Sequence, residues 1–173
     1  MPGSPRLVEA RSFWRCRSLN GPVLDQMDSA PERFTEVVRA DGTEKEVRVL
    51  EGHIFVCKGC CCGNVDRNFP EVPLEEFKSQ WKARGIRRRV HLTISGCLGP
   101  CPLANVVLLI LYGQSVWLHS VDSAAQVTAV YDYVERVLAA GAYLPLNGRL
   151  SDHEFNRCVS DACAEGRWEC LSA

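Results

Sequence analysis

Cys57 and Cys62 flank four residues, and Cys97 and Cys101 flank three. Each pair stands at the end of an apolar, β-branched run. His53-Ile54-Phe55-Val56 precedes the first, and Val90-His91-Leu92-Thr93-Ile94 precedes the second. Thiolates in loops just beyond strand ends can converge on one point from two neighbouring strands. Four of them at one point make a metal site, and such a set suits an iron–sulfur cluster or a structural zinc.

The remaining cysteines bear on which chemistry this is. Cys57-x-x-Cys60 has zinc-knuckle spacing, and after a strand it also has the form of a thioredoxin-type redox pair. A redox pair of that kind starts its helix within the motif, where the helix dipole lowers a thiol pKa. Here Gly59, Gly63, Pro70 and Pro73 delay the helix, so that support is absent. The chain has 10 cysteines, a count that in a secreted protein would suggest a disulfide framework. The first residues show no apolar secretory segment, and consecutive Cys60, Cys61 and Cys62 are awkward disulfide partners for one another. The reading is therefore metal binding in a reducing, cytoplasmic compartment. Cys60 and Cys61 are read as non-ligands, with ligand exchange as the alternative. Cys158, Cys163 and Cys170 are too irregularly placed for a second cluster and are read as exposed tail thiols. Cys16 has no nearby partner in sequence.

Charge and hydropathy narrow the function class. With 20 basic and 21 acidic residues the formal charge is −1, which implies neither a nucleic acid nor a membrane partner. The longest apolar run, Val106 to Tyr112, has seven residues, against roughly 20 for a bilayer span. The length of 173 residues allows one domain plus tails.

The elements that must position the thiols follow from periodicity and punctuation. Residues 1–32 lack a sustained period and are expected to be disordered or loosely packed. Residues 33–50 read as a hairpin extension around Asp41-Gly42. A strand is expected over 53–57, then a cysteine-bearing loop, then a helix from Pro73 to about Ala83 with Leu74, Phe77 and Trp81 on its apolar face. A strand over 88–95, a second cysteine loop, and strands over 105–112 and 116–118 around a turn at Tyr112-Gly113-Gln114-Ser115 come next. Asp122 or Ser123 caps a last helix that Gly141 ends. The order strand, helix, strand, strand, strand, helix predicts an α/β, thioredoxin-like fold: a mixed four-stranded sheet with two helices over residues 51–146. Residues 147–173 read as an irregular C-terminal tail.

The motifs Cys57-Lys58-Gly59-Cys60-Cys61-Cys62-Gly63 and Thr93-Ile94-Ser95-Gly96-Cys97-Leu98-Gly99-Pro100-Cys101 resemble those of the thioredoxin-like [2Fe–2S] ferredoxins. Relatives of that family include the two-iron small subunit of respiratory complex I. Within the family, the string from Val56 through Asn105 is most similar to the small ferredoxins associated with aerobic cobalamin biosynthesis and its cobalt chelatase. The resemblance implies a [2Fe–2S] cluster held by Cys57, Cys62, Cys97 and Cys101. Cys62 takes the second position on the spacing of the complex I relative, and Cys60 and Cys61 lie near enough to compete. Gly63, Gly96 and Gly99 would let backbone N–H groups approach the cluster sulfurs.

The implied function is one-electron transfer, without transformation of a substrate. The implied partners are a redox protein donor and acceptor, including a cobalamin-pathway enzyme, and a homodimer is compatible with the resemblance. Two alternatives come from other classes: a zinc-stabilised accessory or binding module, and a thiol–disulfide oxidoreductase. The run Arg84-Gly85-Ile86-Arg87-Arg88-Arg89 reads as a solvated helix end and strand start, with an anion-docking patch as the alternative. His91 and His119 read as sheet residues, and Trp81 and Trp117 as core.

Overall fold

Residues 32–158 are described by the structure, a computed structural model. The expectation of disorder falls, apart from Glu32, outside the described residues, as do Cys16, Cys163 and Cys170. Strands β1 (Arg33–Val38) and β2 (Glu44–Val49) pair antiparallel, Arg33 opposite Val49 and Val38 opposite Glu44. Their turn is the Asp41-Gly42 one that the sequence predicts. Asp41 Oδ1 accepts from the Thr43 N–H at 3.0 Å and from Thr43 Oγ1 at 2.7 Å, which holds its carboxyl below the usual range. Both strands are exposed throughout, so the ribbon stands outside the main sheet.

The main sheet begins with β3 (Gly52–Cys57). Helix α1 (Leu74–Ala83) crosses to β4 (Val90–Ser95), and β5 (Val107–Leu111) turns back through β6 (Gln114–Leu118) into helix α2 (Ala124–Ala140). β7 (Glu154–Phe155) completes a sheet of order β4-β3-β5-β6-β7. β3 and β4 are parallel; the other neighbours are antiparallel. This is the expected thioredoxin-like α/β arrangement with β5 in the middle, and with five strands where four are predicted. The addition comes from residues 148–155, a 3₁₀ turn and a two-residue strand inside the stretch whose composition reads as tail. Two residues carry no period, and only the pairing of Trp117 with Phe155 and Leu118 with Glu154 defines the strand.

One face of the sheet builds the core. Ile54, Val56, Leu109, Leu111, Val116 and Leu118 are buried against Phe77 of α1 and against Val127, Val130, Tyr131 and Val134 of α2. Those α2 positions recur at three and four residues, as an amphipathic helix requires. Ser123 caps α2 in a reciprocal capping box with Gln126, and Gly141 ends it in the left-handed conformation. Tyr131 donates its hydroxyl to the Phe77 carbonyl at 2.7 Å and so joins the two helices. The other sheet face is half open, with Phe55, Leu108 and Trp117 partly buried and Ile110 exposed.

The arginine run largely builds the fold. Arg84 pairs with Asp132 at 2.7 Å and Glu135 at 2.5 Å on α2. Arg89 donates to Glu51 at 2.6 Å and to the Leu138 carbonyl at 3.0 Å. Arg87 lies over the Trp81 ring, whose Nε1 donates to the Val90 carbonyl at 2.9 Å. Among the described residues no helix is long and apolar enough to cross a membrane.

Candidate metal centre

The parallel pairing of β3 with β4 decides where the two cysteine loops leave the sheet. Cys57 stands opposite Ser95, two residues before Cys97, so both loops emerge from one end of adjacent strands. The Cys57 N–H donates to the Val106 carbonyl and the Lys58 N–H to the Ser95 carbonyl, both at 3.0 Å, which ties the first loop to both neighbouring strands.

The first loop then closes on itself. Gly59 and Cys62 exchange two backbone hydrogen bonds at 3.0 Å each, forming an isolated antiparallel bridge. Cys60 and Cys61 are the tip of that tight turn, with Cys60 at a φ of +53°. The turn sends the three consecutive thiols in two directions. Cys62 goes inward to Cys57, where both are buried and within hydrogen-bond reach of each other. Cys60 and Cys61 meet Cys101 of the second loop, and the three sulfurs lie within 4.8 Å of one another. Cys101 Sγ is 3.2 Å from Cys97 Sγ and 3.8 Å from Cys60 Sγ.

The structure thus brings six thiols to one end of the sheet. Cys57 and Cys62 form a buried inner pair; Cys60, Cys61, Cys97 and Cys101 form an outer group in which Cys60 and Cys97 are exposed. Sequence reading sets Cys60 and Cys61 aside as ligands, yet their sulfurs are in contact range of Cys101. Spacing could not show this, because it depends on the Gly59–Cys62 bridge. Cys158 is exposed.

Burial and mutual contact set the state of the thiols. Burial pushes the Cys57 thiol up to about 12, and the neighbouring Cys62 adds to this. Contacts with the Cys97 and Cys60 thiols push Cys101 up to about 12 as well. At neutral pH these groups hold protons in the metal-free chain, and a metal would displace them. Backbone donors favour the opposite, anionic state. The Leu98 N–H points at Cys57 Sγ at 3.5 Å. Hydrogen bonds from Cys101 and the Gly99 backbone, and then the nearby Arg157 charge, hold the Cys97 thiol below its usual value. Thiols in excess of four, with N–H groups directed at sulfur, fit what a thiolate-bound metal centre requires.

Asn105, which the sequence reading passes over, braces the whole arrangement. It is the buried polar residue at the entry to β5, 1% exposed. Its Oδ1 accepts from the Gly63 N–H at 3.0 Å, directly after Cys62. Its Nδ2 donates to the Pro70 carbonyl at 3.0 Å, the Glu71 carbonyl at 3.1 Å and Asp122 Oδ1 at 2.6 Å. One side chain therefore joins both ends of the loop 63–71 to the start of α2. The signal available in the sequence is a single amide at the head of an apolar strand. Gly63 must be glycine for this fit: its φ is +74°, and a β-carbon there would lie 3.1 Å from Val72 Cγ2.

No family model and no curated protein matches the chain. Among solved structures, the wild-type thioredoxin-like [2Fe–2S] ferredoxin from Aquifex aeolicus is similar at 20% identity with a TM-score of 0.40, the match covering 63% of this chain and 100% of that one.

Proposed function

We propose that the chain is a one-electron carrier holding a single [2Fe–2S] cluster on Cys57, Cys62, Cys97 and Cys101. The observation that supports this most is the convergence of six thiols, from two loops, on one end of a parallel strand pair. Cys57 and Cys62 are the buried pair and Cys97 and Cys101 the outer pair, so each of two irons has two thiolates available. A bound cluster would supply one-electron redox chemistry. The chain's own groups set its environment. Leu98 and Gly99 aim N–H groups at Cys57 and Cys97. The inner pair is shielded from water, and exposed Cys97 leaves one edge open to a redox partner. The resemblance extends this to a donor and an acceptor protein, the acceptor being a cobalamin-pathway enzyme, in a reducing cytoplasmic compartment.

A second reading rests on a specific observation. Cys60, Cys61 and Cys101 lie within 4.8 Å, with Cys97 beside them, and that is a donor set for one tetrahedral zinc. The chain would then be a zinc-stabilised accessory module.

Anaerobic reductive titration separates the two. The carrier reading expects visible absorbance that bleaches on uptake of about one electron per chain and returns on reoxidation. A colourless protein that takes up no electrons would refute it and leave zinc.

A further inference from the structure

Beyond β7 the chain runs on to Arg157, whose guanidinium rests on the second cysteine loop. A β-carbon built on Gly99 would lie 2.7 Å from Arg157 Nη2, nearer than such contacts occur, and Gly99 has a φ of +113°. A side chain at position 99 would push the guanidinium aside, and the backbone φ there itself favours glycine.

The segment that carries Arg157 is pinned independently of the cysteines. Leu150 is buried, and Phe155 packs on Trp117 with ring centroids 5.9 Å apart. The His119 N–H donates to the His153 carbonyl at 2.9 Å, and His153 Nδ1 lies 3.0 Å from the His119 carbonyl. His153 Nε2 is 3.2 Å from Gln126 Nε2. The Gln126 amide orientation is fixed, since its Oε1 accepts from the Asp122 and Ser123 N–H groups at 2.9 Å each. Its Nε2 must therefore donate to His153, which in turn donates from Nδ1 to His119. The polar groups that link His119, Gln126 and His153 thus all have matched partners. Arg157 is exposed and has no carboxylate partner among the described residues.

We propose that residues 148–157 are a strap that delivers the Arg157 guanidinium to the Cys97–Cys101 loop, where its positive charge favours the reduced, more negative state of the centre. The inference rests on the carrier reading above. Reduction there adds one electron from an external one-electron reductant, with no bond made or broken in the chain. A cation beside the site of added charge stabilises the reduced form, and salt weakens the effect because the group is exposed.

Two measurements on the full chain test this with the variants R157Q and R157K. In reconstituted protein, R157Q is expected to shift the reduction equilibrium about threefold toward the oxidised form, ~28 mV at 59 mV per decade for one electron. R157K is expected to stay near wild type, and high salt to shrink the difference. An R157Q midpoint equal to wild type overturns the proposal. The second measurement uses metal-free, reduced protein: the ratio of labelling rates at Cys97 by anionic iodoacetate and neutral iodoacetamide. The ratio cancels differences in thiolate fraction and reports the local charge. It is expected to fall about threefold in R157Q and to be retained in R157K. Should the chain prove to hold no iron–sulfur cluster, the carrier reading fails by itself. The ratio then decides alone, and one that does not move in R157Q overturns the delivery of charge to the loop.

Discussion

Replacing Cys97 and Cys101 together with serine is expected to abolish the visible spectrum of the reconstituted protein while the fold survives. Cys101 is the sulfur that joins the two loops, 3.2 Å from Cys97 and 3.8 Å from Cys60. Without this pair the second loop offers no thiolate, and the four thiols that remain at the site all lie on the first loop. There the Gly59–Cys62 bridge sends Cys60 and Cys61 away from the buried Cys57–Cys62 pair. The core does not depend on these side chains, because Cys97 is exposed and Cys101 only partly buried. Serine at exposed Cys158 should leave the spectrum unchanged. A wild-type spectrum in the double variant would remove the second loop from the site and with it the proposed ligand set.

Asn105→Ala should be the most damaging substitution outside the cysteines, costing about 2–4 kcal/mol of stability. It strands the Gly63 N–H, the Pro70 and Glu71 carbonyls and Asp122 in a buried site. The loop that carries Cys62 into the interior loses its anchor, so metal retention should fall along with the melting temperature. Asn105 has a φ of +34°, which alanine also tolerates poorly. Asn105→Gly relieves that strain while leaving the same partners orphaned, so its loss of stability reports the hydrogen bonds. Thermal unfolding and metal content of the two variants check this; wild-type values in both would show that the loop holds itself.

The elements around the site were legible because their signals are local. The β-branched runs before Cys57 and Cys97 form β3 and β4, and the three-and-four recurrence of Val127, Val130 and Val134 forms the buried face of α2. Pro73 and Gly141 bound the helices as their backbone preferences require, although Pro73 is the cap of α1 and not its first residue. What was not legible depends on tertiary placement. The meeting of Cys60 and Cys61 with Cys101 arises from a two-bond bridge between Gly59 and Cys62, which has no sequence signature apart from its glycine. β7 is defined by pairing with β6 far away in the chain, next to hydrogen bonds between His119 and His153 across 34 residues. Asn105 acts through partners at 63, 70, 71 and 122, and a lone amide in an apolar stretch does not reveal partners at such separations.

The central claim is that these thiols hold iron and sulfide. Quantitative iron, acid-labile sulfide and zinc analysis of protein purified without oxygen tests it most directly. The account predicts about two iron and two sulfide per chain with negligible zinc. About one zinc per chain, without sulfide, would contradict it and assign the cysteine loops a structural role.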